Sequence, residues 1–385
     1  MANKRVVALD VGTTNITAVQ GIVDGRTAIV DKIASVPTPK GAVRSNGIHD
    51  VTALAEALKE MWRAHDFQTK DVIAGVQSRR VQSGVKWVEF FHPDDLAAVA
   101  SPEWVQAQNI LPGQFETNAV SVFHYVLRER IVRHDPAKPE QRELLLAAVV
   151  VPKDEPQALA NAVEDAGLEL VGMDLTAFGT LRGTALVPRD NTRSADIIID
   201  IGSTFVTLIM HVNGNFRAVA TIPGIGGDSV TDHVRKELAR ISGLTTTQSD
   251  RAEDLKKALA VLESNQPNEP ATVATQQAVR AQAQGLMREI DQMLERFHAA
   301  TNNIPGQVEE HGLQSITLVG GGSALHNLTT TLADPSMGGL DIPVAVGATS
   351  QSFAWADGSG RIPPYVDGVS VVAALGLLLS DRKAA

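Results

Sequence analysis

The chain has 385 residues, 44% of them hydrophobic and 20% charged, the balance of a folded soluble protein long enough to bury two or more cores. With 34 Lys+Arg against 44 Asp+Glu its formal net charge is −10, which argues against a basic face that grips a nucleic-acid backbone; an anionic ligand has to be held locally, by backbone amides, helix ends or a cation. Cysteine is absent, so disulfides, thiolate nucleophiles and cysteine zinc sites are excluded, and a reducing cytoplasm is the expected compartment.

Asp10 interrupts the opening apolar run before a secretory signal core could form. The stretches "RVVALDVG", "ITAVQGIVDG" and "TAIVDKIASV" alternate as strands of a meander with short turns. "DVTALAEALKEMWRAH" follows as a helix capped by Asp50, with Leu54, Leu58 and Met61 or Trp62 on one face. From about Gln77 to Gly172 the rhythm changes, and "VKWVEFF", "AVSVFHYVLRERIV", "ELLLAAVVVP" and "EPQALANAVEDAG" suggest a small α/β insertion. A Pro- and charge-rich link, "VPRDNTRSAD", then marks a lobe boundary.

Beyond the link, "IIIDIGSTFVTLIMHVNGN" repeats the pattern of the opening, and "NFRAVATIPGIGGDSVTDHVRKELARI" reads as strand, glycine turn and helix. "DRAEDLKKALAVLE" is a further helix. Val279, Ala283, Leu286, Ile290, Met293 and Phe297 form the stripe of a long amphipathic helix, which is core packing. "QSITLVGGGSALHNL" is strand, glycine turn and helix start. The apolar run Val369 to Leu379 is too short to span a bilayer and apolar on nearly all sides, so a buried helix is expected. His49, His65, His124 and His233 show no ligand spacing.

Two strands that end in Asp and turn through Gly and hydroxyl residues carry the chemistry. Such a turn exposes consecutive N–H groups that suit an anion, and glycine lets the backbone approach a phosphate. A carboxylate repels a bare phosphate but suits one with a hard cation between them, and magnesium is commonly held by one or two carboxylates plus phosphates. Mg-ATP is therefore the expected ligand. Two copies and a third glycine turn, Gly320, Gly321, Gly322 and Ser323, offer two phosphate hairpins and a place for the adenosine.

This ordered set resembles the actin-like ATPase superfamily, with "ALDVGTTNITAVQ" as phosphate-1, "IIDIGSTFVTLIMHVNG" as phosphate-2 and "ITLVGGGSAL" as the adenosine motif. Within it, "PKDEPQALANAVEDAGLELVGMDLTAFGTLRG", "GIGGDSVT", "AEDLK" and the "ALGLLL" terminal helix resemble the PilM family of type IV pilus assembly, and the similarity runs over nearly the whole chain. The resemblance implies an α/β, two-lobe fold of ribonuclease H-like repeats. It divides the chain into 1–77 with 173–190 (subdomain 1A), an inserted 78–172 (1C), 194–230 with 314–385 (2A) and 231–313 (2B).

The resemblance also implies residue roles. Asp10 holds magnesium through water, and Gly12, Thr13 and Thr14 wrap the terminal phosphates. Asp200 faces the magnesium or the attacking water, while Gly202, Ser203 and Thr204 contact the phosphates from the other lobe. Gly226 and Gly227 pass the phosphate–ribose region, Glu253 and Lys256 lie by ribose and adenine, and Gly320, Gly321, Gly322 and Ser323 line the adenosine. Read from the residues alone, Glu253 and Lys256 equally make a solvated helix pair. Where the family carries a Glu before Pro-Phe, this chain has Thr176, with Asp174 two residues earlier.

A hydroxyl cannot serve as a general base, whose assistance is typically worth about 10²–10⁴-fold, so tight ATP binding with slow or no hydrolysis is expected. The implied function is a cytoplasmic adaptor docking the N-terminal tail of a PilN-like inner-membrane protein in a groove involving the insertion, by strand addition or as an extended peptide. The pilus assembly ATPase and platform protein are further candidate partners, nucleic acid is not, and membrane contact runs through the partner. The alternatives are an FtsA-like division filament, which needs a terminal amphipathic helix where this sequence reads "SDRKAA", and a sugar or acetate kinase, which needs a catalytic Asp in an acceptor pocket.

Overall fold

The computed structural model describes residues 4–24, 27–90, 101–111, 113–132, 141–186, 195–242, 252, 270–301, 313–325, 327–337, 339–356, 362 and 368–380. Strands β1 (Arg5–Val11), β2 (Asn15–Asp24) and β3 (Thr27–Pro37) form an antiparallel meander. A ribbon of β4 (Val43–Arg44) and β5 (Gly47–Ile48) leads to α1 (Val51–His65). The Asp50 carboxylate accepts from the Ala53 amide at 2.9 Å, capping α1, whose buried Leu54, Ala55, Leu58 and Met61 face the sheet. Buried on every residue, β6 (Asp71–Val76) runs parallel to β1, as expected of a strand covered on both faces.

The insertion supplies β7 (Gln82–Phe90), α2 (Pro102–Ala107), β8 (Val120–Val132) and β9 (Gln141–Pro152), a separate sheet in the order β7-β9-β8. The chain returns through α3 (Asp154–Asp165) and β10 (Glu169–Leu175) to α4 (Thr176–Gly183). β10 pairs with β6.

The second lobe repeats the plan. Strands β11 (Ala195–Ile201), β12 (Phe205–Val212) and β13 (Asn215–Pro223) are again an antiparallel meander. Helices α5 (Gly227–Ser242) and α6 (Pro270–Thr301) precede β14 (Leu313–Val319), which lies parallel to β11 as β6 does to β1. The stripe expected on α6 is buried at Val279, Ala283, Leu286, Ile290 and Met293, packed with β11, β12 and β14 residues. A 3₁₀ turn at Gly321–Ala324, α7 (Leu328–Ala333) and β15 (Val344–Val346) follow. The helix expected at "DRAEDLKKALAVLE" lies, apart from Ala252, outside the described residues.

The last elements cross back. β16 (Phe353–Trp355) pairs with β3, completing the first sheet as β10-β6-β1-β2-β3-β16 against β13-β12-β11-β14-β15 in the second. The wholly buried α8 (Val372–Leu377) packs on Val6, Ala8, Val19 and Ile73 of the first lobe. The expected unit of 314–385 thus divides: its first strands join the second sheet, while β16 and α8 finish the first core. Likewise β10, Glu169–Leu175, belongs to the first sheet although sequence places most of it in the insertion. Glycines make the return possible, since a Cβ on Gly376 would stand 1.8 Å from the Gly179 carbonyl oxygen and one on Gly183 would stand 2.0 Å from that of Val372.

Candidate functional site

Both meanders turn at the carboxyl end of their first strand, beside a parallel neighbour, where α/β sheets commonly place ligands. Asp10 and Asp200 sit there on β1 and β11. In the first turn the Gly12 amide donates to the Asn15 carbonyl at 2.9 Å, and in the second the Gly202 amide donates to that of Phe205 at 3.1 Å. A Cβ on either glycine would stand 3.0 Å from that same carbonyl oxygen. The two turns meet: the Thr13 hydroxyl is 2.5 Å from that of Ser203 and 3.4 Å from that of Thr204. Residues 190 apart in sequence are therefore in direct contact, and Thr14 is exposed beside them.

Burial pushes the Asp10 carboxyl up to about 7, aided by the charge of Asp200. Asp200 is raised to about 6, again by burial, against the Thr180 hydroxyl, which donates to it at 3.2 Å. Two carboxyls that resist ionising side by side suit a divalent cation, which supplies the charge each lacks. The paired carboxyls fit an ion that takes its remaining ligands from phosphate and water; among the described residues no group of three or more His, Cys, Asp or Glu is arranged to hold a metal.

The glycine turns close around Asp200 and the second hairpin. A Cβ on Gly226 would stand 2.4 Å from the Ser203 carbonyl oxygen, and the Gly227 and Asp228 amides donate to Gly202 at 2.9 Å and Ser203 at 2.7 Å. A Cβ on Gly320 would stand 2.3 Å from the Asp200 carboxylate, and one on Gly322 equally close to the Ile201 side chain, whereas beside Gly321 there is open space. Gly321 is thus exposed where a flat ligand could lie, and Ser323 is buried with a hydroxyl that has no partner. Of the residues singled out in the sequence, Asp10, Thr13, Asp200, Ser203, Thr204, Gly226 and Gly320 are linked by these contacts. Glu253 and Lys256 lie outside the described residues.

Sequence reasoning missed four residues. Thr38 braces the first hairpin, its hydroxyl donating to the Gly12 carbonyl at 2.8 Å and its amide to that of Thr14 at 2.9 Å. The Gly224 amide makes the matching bond to Thr204 at 3.3 Å. Gln77, immediately after β6, donates its side-chain amide to Asp10 at 3.3 Å, and Thr180 holds Asp200. Gln77 was findable, because "VIAGVQ" is an apolar run ending in a carboxamide and a buried parallel strand presents its carboxyl end to the ligand.

A family model described as type IV pilus assembly protein PilM matches residues 8–380. The chain belongs to the PilM family. Its fold is similar to that of a solved PilM-PilN type IV pilus biogenesis complex, at 18% identity over 98% of each chain with a TM-score of 0.70. The ethanolamine utilization protein EutJ from Carboxydothermus hydrogenoformans is similar at 14% identity over 98% of this chain and 90% of that one, with a TM-score of 0.51. MreB5 of Spiroplasma citri bound to ADP is similar at 13% identity over 99% and 97%, with a TM-score of 0.54. At these identities the likeness is one of fold, the actin-like two-lobe α/β architecture. Among curated proteins no sequence matches. As a PilM-family member the chain has its place in type IV pilus assembly. No described helix is long and apolar enough to cross a membrane.

Proposed function

We propose that this PilM-family chain is an ATP-binding adaptor of pilus assembly, holding Mg-ATP between its two hairpins and docking the cytoplasmic N-terminal tail of a PilN-like membrane protein. The observation that carries the nucleotide half is the meeting of Thr13 with Ser203 beside two buried carboxyls. Gly12, Thr13, Thr14, Gly202, Ser203 and Thr204 would wrap the terminal phosphates. Asp10 and Asp200 would hold the magnesium, which would neutralise charge on both phosphates and carboxylates. Gly226 and Gly227 shape the phosphate–ribose end, and the open face at Gly321 receives the adenosine. MreB5, with the same fold, was solved with ADP, which supports the reading. Thr176 in place of a carboxylate makes turnover slow.

The partner half rests on a cavity of about 330 Å³ between β8, α4 and the turn joining β12 to β13, lined by Tyr125, Val126, Phe178, Leu181, Arg182 and Phe216 among others. β8 is an edge strand with Tyr125 and Val126 exposed at 38% and 41%, so an extended peptide can add to its backbone while a side chain enters the cavity. Helix α4 serves both sites. Thr180 holds Asp200, while Phe178 contacts Tyr125 and Phe216 with ring centroids 5.4 and 4.9 Å apart. A ligand that displaces α4 at one end changes the other, and nucleotide tunes the docking by that route. Membrane association follows from the partner.

Calorimetric titration of Mg-ATP-loaded protein with the N-terminal peptide of the PilN-like protein from the same organism tests the reading. Saturable one-to-one binding, lost on scrambling the peptide and weakened by Phe178→Ala, is the expected result. No heat and no competition with a labelled copy would refute the docking half.

A further inference from the structure

Two arginines at the rim of the docking cavity, Arg128 and Arg217, have no carboxylate partner among the described residues. Their placement starts from the insertion's sheet, where Tyr125 and Trp87 share one face because their partners on β9, Ala147 and Leu145, are two places apart. Regular alternation from Tyr125 would put Arg128 on the other face. A bulge prevents it: Val126 pairs with Leu146 and Arg128 with Leu145, which turns Arg128 to the face of Tyr125, the re-aiming that bulges at sheet edges provide. That face meets the second lobe, where the hydroxyl of Ser83, paired with Val149, accepts from the Val219 amide at 3.1 Å and donates to the Val219 carbonyl at 3.3 Å. Arg217, two residues from Val219 on β13, is half-buried and donates to the Phe216 carbonyl at 2.9 Å. Burial, and after it the charge of Arg128, push its guanidinium down to about 10. A cation taken from water beside a like charge is costly until an opposite charge joins it. Neighbouring carboxylates are engaged elsewhere, Glu143 on the same face by Arg130 at 2.7 Å, and Asp174 by Arg182 of the cavity wall.

We propose that Arg128 and Arg217 form an anion-binding end of the docking surface, and that the docked tail places the carboxylate of an acidic residue between them. The inference rests on the docking reading above. Leu127 and Phe216, each immediately before one of the two arginines, line the cavity, so an extended peptide with an apolar side chain in the cavity can bring a nearby carboxylate to the pair. A protein segment suits the site because the edge of β8 and the apolar cavity walls continue it, and a net charge of −10 tells against a nucleic-acid backbone. A guanidinium binds a carboxylate through charge-assisted, often paired, hydrogen bonds, which fixes direction as well as affinity. On an acidic protein the arginines also set register, since an acidic residue elsewhere along the tail meets no such welcome. The apolar anchor and the acidic residue together then decide which segment docks and in which alignment.

The test titrates wild type, Arg128→Gln and Arg217→Gln with the N-terminal peptide of the PilN-like protein from the same organism, and with that peptide carrying Asn and Gln for every Asp and Glu. Wild type is expected to bind the amide peptide about tenfold more weakly than the native one, and each variant to lose about tenfold for the native peptide. For the amide peptide, variants and wild type are expected to agree within about twofold, because the interaction is already gone. Added salt is expected to weaken native-peptide binding to wild type more than to either variant. Without peptide, Arg217→Gln removes a like-charge contact, so its unfolding temperature is expected to stay level or rise; Arg128 is exposed, and its variant carries the test if Arg217→Gln fails to fold. A tail without Asp or Glu, an amide peptide that binds wild type as the native one does, or variants that match wild type would overturn the inference and leave docking intact. Wild type that binds no tail would take down the docking reading and this inference with it.

Discussion

The two hairpins close with the same bonds and are anchored differently. Gly12 and Gly202 donate to the residue three places on, and Thr38 and Gly224 reach back to Thr14 and Thr204 in the same way. Each aspartate takes one side-chain donor, Gln77 on Asp10 and Thr180 on Asp200, and the first hairpin is further braced by one threonine side chain, Thr38. In the second, the amides at the start of α5 bind the Gly202 and Ser203 carbonyls, and Gly226 and Gly320 press on the turn with no room for a side chain. One duplicated unit has thus become a turn braced by a threonine side chain and a turn braced by the amides that open α5. We therefore expect the second hairpin to be the more rigid platform and the first to adjust on ligand binding.

Substitutions can break that contrast, beginning with the largest effect. Gly226→Ala and Gly320→Ala drive a Cβ to 2.4 and 2.3 Å from backbone or carboxylate oxygen, and Gly320 has φ +79° besides. Each is expected to cost about 2–4 kcal/mol in chemical denaturation. Gly12→Ala and Gly202→Ala, both at 3.0 Å, are expected to cost about 1 kcal/mol and the same as each other; equal losses at all four positions would remove the claimed difference. Next comes pH. In metal-free protein the folded state holds protons on Asp10 and Asp200 more tightly than the unfolded chain, whose carboxyls titrate near 3.8, so stability falls as pH rises from about 4 through about 7 and levels off above. Asp10→Asn is expected to flatten that slope more than Asp200→Asn, measured by urea midpoints across the window. The smallest effect is Thr38→Val, which loses a bond to the first hairpin worth about 1 kcal/mol. It is expected to weaken Mg-ATP binding without altering the second lobe's hydrogen-exchange protection.

Much of this is legible in the sequence. The duplicated Asp-Gly-hydroxyl turn is a local pattern, and both local structure and the meeting of Thr13 with Ser203 follow from it once two like lobes face each other. The α6 stripe and the buried tail helix were readable because periodicity reports burial directly. What escaped was non-local. Nothing in "SFAWAD" says that β16 leaves the second lobe to pair with β3, because an edge pairing adds no periodicity of its own. Thr180 reads as an ordinary helix residue until Asp200 arrives from another lobe. Gly376 shows its purpose only against Gly179 and Gly183, nearly 200 positions earlier.

The central claim is that one magnesium nucleotide is shared between the two hairpins through Asp10 and Asp200. Its most direct test is calorimetric titration of wild type and Asp10→Asn with ATP, each with magnesium and with chelator at neutral pH. Saturable one-to-one binding by wild type, at least about tenfold weaker without magnesium and at least about tenfold weaker in the variant, is the expected result. Equal affinity in the variant, or binding indifferent to magnesium, would contradict it.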